Sequence, residues 1–356
     1  MQVSQAIVTL GGMKRPFRSG FFLFLFLAGP FAAILAGSGC NRSRKEGPSV
    51  RILGYSSIGA KGGFLPSVQE RFLKESGCSL QIENTLGATQ MIAVLTDPKL
   101  RRDIDVVMGV DEVLYGRLKA EWVSGESSIP GIREKMVPLV ADRVRPGWIP
   151  LDYGALAFIY RRSAFAGVPL PKKLRDLLQP AFRKKFILQD PRASSPGLMF
   201  FLFAKDFIRS AELRPQWLTL APSWDSSYQM FLSGDAPMVW SYLSSLAYHA
   251  SKGEGAEYAA VDFEEGAPLQ VEGMGIVKQG KSNPCVRKWI DFMLNPETVS
   301  LLAEKQWMWP ALKGARLPKF FDAIPQPGKA AKMDLGGDAL DRLLLNFAKE
   351  IQGAGP

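Results

Sequence analysis

From residue 50 onward, strand-length apolar runs alternate with helical repeats, and this order limits the fold more than any other feature of the chain. Residues 50–55 predict a strand, followed by the glycine-rich turn Gly59-Ala60-Lys61-Gly62-Gly63. Phe64, Val68 and Phe72 then recur every four residues, as the buried face of an amphipathic helix does. Residues 79–82 predict a second strand and 91–95 part of a short helix. The apolar run 106–110, bounded by Asp105 and Asp111, has the make-up of a buried parallel strand. A β-α-β-α-β order implies an α/β fold with an open, mostly parallel sheet covered by helices. Ligands bind such sheets beyond the carboxyl ends of the strands, which here carry Tyr55-Ser56-Ser57, Asn84-Thr85 and Gly109-Val110-Asp111.

A second unit is expected from near Pro150. Strands at 155–160 and 186–189 flank a helix at 171–178, and the apolar strand 269–277 returns the chain to the first unit. Two helices follow, one at 286–294 and one opened by Asn295-Pro296-Glu297, where Asn suits the N-cap and Pro the first helical position. A Pro- and Gly-rich tail from about Gly314 precedes a helix at 340–351. The expected division is one lobe of residues 50–150 with 265–356 and a second of 151–264. Crossing segments near 150–154 and 262–270 would join them.

Ahead of the lobes, Lys14, Arg15 and Arg18 precede an uncharged run that ends in small residues before Cys40, the order of a secretory signal. The apolar part, 21–36, is short for a membrane span and is interrupted by Gly29-Pro30. Residues 1–39 are therefore expected to be a signal peptide, with translation starting at Met1 or Met13, and 40–49 a polar tether. Leu35-Ala36-Gly37-Ser38-Gly39-Cys40 resembles a bacterial lipobox, although its Leu lies five residues before the Cys rather than three. The resemblance implies lipidation of Cys40, anchoring the protein to a membrane in the periplasm or at the cell surface. Export permits a disulfide between Cys78 and Cys285, and buried free thiols fit the same apolar surroundings.

The net charge of +10 falls to +7 once the three leader bases are removed, because residues 1–39 contain no acid. The bases form short, scattered clusters such as Lys99, Arg101 and Arg102, without an arm or an aromatic RNA-binding motif, so a solvated surface rather than a nucleic-acid partner is expected. His249 is the only histidine, which excludes a zinc site built on several imidazoles. No G-x-S-x-G elbow, phosphate-binding P-loop or dinucleotide fingerprint occurs, so the chain is not expected to be an enzyme or to need a cofactor or metal. The glycines at 59, 62 and 63 suit a turn first and a backbone nest for an anion second.

Aromatic and small polar residues gather at loop-like positions in the second half. Gln189 to Gly197 follows a strand and precedes an apolar helix, which puts Ser194 and Ser195 near a helix N-terminus, as a cap or as an anion contact. Trp224 lies in the polar segment Pro222 to Tyr228, Tyr242 and Tyr248 flank Ser244 and Ser245, and Trp307 and Trp309 surround Met308. Several aromatics in polar turns suit a cage for a flat or cationic solute. His249 alone suits a satisfied structural histidine.

Taken in order, these blocks resemble the periplasmic thiamine-binding proteins of bacterial ABC transporters. The matching segments include residues 106–111, 152–158, 189–197, 224–234, 241–249 and 306–310, spread over most of 50–312. The resemblance implies a two-lobed periplasmic-binding-protein fold whose hinged lobes close on a ligand. It implies a monomer that captures thiamine or a thiamine phosphate and delivers it to an importer permease. Trp224, Tyr242, Tyr248 and Trp307 match family positions around the ligand, Ser194 matches one near its phosphate or hydroxyl end, and Asp111 one shared more widely among solute receptors. Two departures stand out: family members carry a Trp where this chain has Lys61-Gly62-Gly63, and an acid expected after the second strand is replaced near Leu86-Gly87. The same receptor fold for a phosphonate, polyamine or other phosphorylated solute is the alternative. A ferric receptor would want adjacent tyrosinates, and an exported hydrolase a nucleophile–base pair.

Overall fold

The computed structural model describes residues 47–117, 129–322, 324–325, 330–331, 333 and 337–353. The expected signal peptide and Cys40 lie outside the described residues. The first strand, β1 (Ser49–Tyr55), leads through the turn Ser56–Gly59 into α1 (Phe64–Ser76). That helix buries Phe64, Val68 and Phe72 along one face and ends at Gly77, whose φ of 71° is the left-handed conformation that closes helices. β2 (Ser79–Thr85), α2 (Ala88–Thr96) and β3 (Val106–Asp111) follow, and all six residues of β3 are buried.

The second half begins inside a long strand, β4 (Trp148–Arg161), and continues through β5 (Phe186–Gln189), α3 (Ser195–Ala204) and β6 (Trp217–Ala221). Next come α4 (Trp224–Ser233), β7 (Met238–Tyr242), α5 (Ser245–Ser251) and β8 (Tyr258–Ala260). The chain returns along β9 (Leu269–Ile276) to α6 (Pro284–Met293), α7 (Pro296–Gln306), β10 (Trp309–Pro310) and the last helix, α8 (Gly337–Gly353).

The strands form one curled sheet in the order β2-β1-β3-β9-β4-β7-β5-β6, with β8 and β10 also along β4. It is mixed rather than mostly parallel. Parallel pairs occupy the two ends, β1 with β2 and β3, and β5 with β6 and β7. The middle is antiparallel because β4 and β9 are the outgoing and returning crossings. β4 pairs with β9 along its first half and with β7 and β8 along its second. The boundary expected at Pro150 thus falls within a continuous strand. The register shifts between Pro150 and Asp152, the kind of irregularity that accommodates a proline in a sheet interior.

The helix expected at 171–178 is only a 3-10 segment, Leu174–Leu178, because the Asp176 carboxylate accepts the Lys172 and Lys173 N–H groups and tightens the entry. The final helix, expected with the first lobe, packs on the second half instead. Its apolar residues Leu340, Leu343 and Phe347 turn inward, and Phe347 meets Phe201 of α3 at 4.8 Å between ring centroids. The described residues of α3 are buried on every side, so it needs an apolar cover that its own half does not complete. Cys78 and Cys285 form a disulfide with their Cα atoms 5.9 Å apart, tying the start of β2 to α6.

Candidate functional site

A cavity of about 760 Å³, its open mouth included, lies between the two halves. The first half contributes Tyr55, Gly87, Glu272 and the segment 305–308, and the second contributes 193–196, 223–225 and Tyr242. A second chamber of about 710 Å³ shares Trp224, Tyr242 and Trp307 with the first and adds Tyr228 and Tyr248. The shared aromatics therefore partition one cleft.

Each aromatic is held by its local structure. Ser223 caps α4 by accepting the Ser226 N–H at 3.1 Å, which starts the helix at Trp224. The Trp224 ring stacks on Tyr228 at 5.0 Å and 20°, and its Nε1 donates to Ser241 Oγ at 2.8 Å. Trp307 ends α7 with φ 56°, a left-handed conformation costly for a bulky side chain. That turn brings its ring to the cavity, with Tyr248 edge-on at 5.6 Å. His249, buried behind Tyr248, bonds Tyr228 through Nε2 and Glu254 through Nδ1 and stacks on Tyr258 at 3.5 Å, so it is a structural residue.

Ser194 occupies the N-cap position of α3 but makes no capping bond with its side chain, so its hydroxyl lines the cavity rather than closing the helix. Asp111 does not line the cavity. It is fully buried, with Oδ1 accepting the Leu114 N–H at 2.8 Å and Oδ2 accepting Gln270 Nε2 at 3.1 Å. Lys61 is exposed, and the glycine loop folds tightly because a Cβ on Gly59 would lie 1.7 Å from Asn84 Oδ1.

The floor holds what sequence reasoning missed. Glu272 lines the cavity and accepts from Tyr55 at 2.5 Å and Tyr242 at 3.4 Å. Tyr242 also donates to Gln270, which in turn reaches Asp111, and Gln306 donates to the Tyr55 hydroxyl at 3.3 Å. A hydrogen-bonded chain thus runs from buried Asp111 to the cavity wall. Asp152, the register partner of Glu272 on β4, is 3% exposed and has one oxygen without a hydrogen-bond partner. Burial pushes the Glu272 carboxyl up to about 7, opposed by the tyrosine hydrogen bonds. Burial and the neighbouring Glu272 push Asp152 well above the ordinary carboxylate value. Burial likewise keeps Tyr55 and Tyr242 as un-ionised donors. Asp225 adds a second carboxylate at the cavity and accepts from Ser56 of the opposite half at 2.7 Å. The acid missing after β2 is therefore matched by two carboxylates from elsewhere. A lone Glu inside the apolar strand 269–276 was the available signal.

Residues 103–330 match the family of bacterial extracellular solute-binding proteins. The thiamine-binding periplasmic protein of Brucella abortus biovar 1 (strain 9-941) is 33% identical over 288 residues, 78% of this chain and 84% of that protein. A solved periplasmic thiamin binding protein superposes with a TM-score of 0.77 at 24% identity, covering 87% of this chain and 97% of that one. A periplasmic binding protein from Actinobacillus pleuropneumoniae with fructose-6-phosphate bound has a TM-score of 0.70 at 17% identity, covering 86% and 99%. These proteins are named for binding, not for catalysis. Among the described residues no group of His, Cys, Asp and Glu is suited to hold a metal ion.

Proposed function

The chain belongs to the bacterial extracellular solute-binding protein family, and from that premise we propose that it captures thiamine or a thiamine phosphate and delivers it to an ABC importer. The observation that carries the ligand assignment is the joining of aromatic faces and a buried carboxyl in one cleft. Thiamine is a flat pyrimidine linked to a cationic thiazolium. Trp224, Tyr242, Tyr248 and Trp307 offer ring faces, each cation–π contact being worth about 0.5–2 kcal/mol, and Glu272 offers countercharge. The proposal includes closure about β4 and β9 of one lobe, 50–150 with 265–322, against a second, 151–264, that carries α8. It also includes a monomer exported by residues 1–39 and held in the periplasm through lipid on Cys40.

Titration calorimetry of residues 41–356 tests the ligand. Submicromolar one-to-one binding of thiamine or thiamine monophosphate, weakened about 10- to 100-fold in Trp224→Ala, is expected. No heat with either ligand, from protein of native circular dichroism, removes the thiamine assignment. A second reading, a different phosphorylated solute, is favoured by Lys305 and the uncommitted Ser194 hydroxyl at the same cavity. Competition by other phosphate esters in the same titration distinguishes it.

A further inference from the structure

Aromatic side chains stand in the cleft wall, and its floor is acidic. Three carboxyl groups, Asp111, Asp152 and Glu272, lie buried on neighbouring strands, and Glu272 is the one that reaches the cavity. The groups facing it from every packed element are accounted for. Tyr55 comes from β1, Tyr242 from β7, Asp152 from β4, and Gln270 on its own strand connects to Asp111 at the end of β3. From α7, Gln306 reaches only the Tyr55 hydroxyl. Lys305, the one base among the described residues that line the cavity, forms no ion pair with Glu272 and also borders a separate depression with Gly62 and Phe320. Asp225, the other acid of the lining, is engaged with Ser56.

A buried carboxylate without a cation is costly, and neutral phenols supply hydrogen bonds but no charge. We propose that Glu272 makes the cleft selective for a cation: it carries a proton in the empty cleft and gives it up to solvent when an organic cation takes its place. This rests on the reading above that the cleft takes a cation, and it goes further by assigning the countercharge and a proton exchange to one residue. Asp152 does not reach the cavity, so the exchange coupled to capture is assigned to Glu272 alone. The raised Glu272 carboxyl agrees with this geometry. Because binding then competes with one proton, affinity is flat above about pH 7 and weakens about tenfold per pH unit below it.

The test combines two measurements on the whole folded chain. Carbon NMR of carboxyl-labelled glutamates in ligand-free protein should show one carboxyl titrating near neutrality, absent in Glu272→Gln. Calorimetry at about pH 6, in two buffers of different ionisation enthalpy, should show close to one proton released as thiamine binds. Glu272→Gln keeps one carbonyl acceptor for Tyr55, and Tyr242 retains Gln270 as its acceptor, so the variant should fold, release no proton and bind at least tenfold more weakly at neutral pH. A Glu272 carboxyl titrating in the ordinary glutamate range overturns the proposal, as does wild-type affinity and proton release in Glu272→Gln. If thiamine fails to bind but spermidine or benzyltrimethylammonium displaces the proton, the thiamine reading falls and the countercharge stands. If none of the three cations displaces it, the countercharge falls as well.

Discussion

Trp224 is held on one face by Tyr228 and along one edge by Ser241, so its ring is in place before any ligand arrives. Such preorganisation lets a stacked cation gain contact without paying to order the side chain. Trp224→Ala should weaken thiamine binding about 10- to 100-fold, the equivalent of about 1.5–3 kcal/mol of lost stacking and burial. Trp224→Phe should recover part of it, and calorimetry reads both. Glu272 also leaves a mark on stability. Its carboxyl is raised by burial, so its contribution favours the folded state fully below the ordinary glutamate pKa and is lost as pH rises through about 7. Glu272→Gln should therefore stabilise the ligand-free protein above neutrality, by on the order of 2 kcal/mol, and flatten the pH dependence of urea unfolding between the ordinary glutamate pKa and about 7. None of this is visible in residue type alone. Trp224, Tyr242 and Trp307 were marked by their polar neighbours, whereas Glu272 became significant only once β1 and β7 brought two tyrosines to it.

β3 shows how an element shapes the site from below. Its register against β9 shifts between Met108 and Val110, and Gly109 sits there with φ 88°. A Cβ at that position would lie 2.0 Å from the Tyr55 ring, so the glycine makes room for the tyrosine that holds Glu272. Gly109→Ala should lower the melting temperature, at a cost of about 1–3 kcal/mol, and weaken ligand binding, because the ring and its hydrogen bond must move together. The expected strands at 50–55, 79–82, 106–110, 155–160, 186–189 and 269–277 all fall on strands of the sheet. The period-four face of α1 and the Asn–Pro start of α7 survive intact, with Asn295 accepting the Glu297 N–H at 2.9 Å. The 3-10 segment at Leu174–Leu178 was misread because Asp176 bonds backward to the main chain, an effect that hydrophobic period does not carry.

At the scale of the whole molecule, the Ser56–Asp225 hydrogen bond joins the two halves directly at the cleft. In the proposed closed receptor, Ser56→Ala should speed ligand release by about tenfold or more in stopped-flow fluorescence while leaving the aromatic walls unchanged. Removing one hydrogen bond to a charged group is worth about 1.5–3 kcal/mol. Thiamine should also raise the melting temperature progressively with concentration, since a ligand that binds only the folded chain adds about 2.7 kcal/mol at a hundredfold excess over Kd. A melting temperature insensitive to thiamine would count against the assignment.

By itself the sequence determined the α/β class, the buried faces of the principal helices and the aromatic segments that meet in the cleft. Those depend on short-range periodicity and on residue chemistry, both written along the chain. Only the tertiary structure decided that β4 runs unbroken through the expected domain boundary, that α8 covers the far half, and that Cys78 bonds Cys285. It also placed Glu272, Asp152 and Asp111 together on one floor. Each of these is a pairing between residues distant in the chain, and pairing is set by strand register and by the packing of whole faces. A carboxyl's charge follows from what surrounds it, and those surroundings exist only after the sheet has formed.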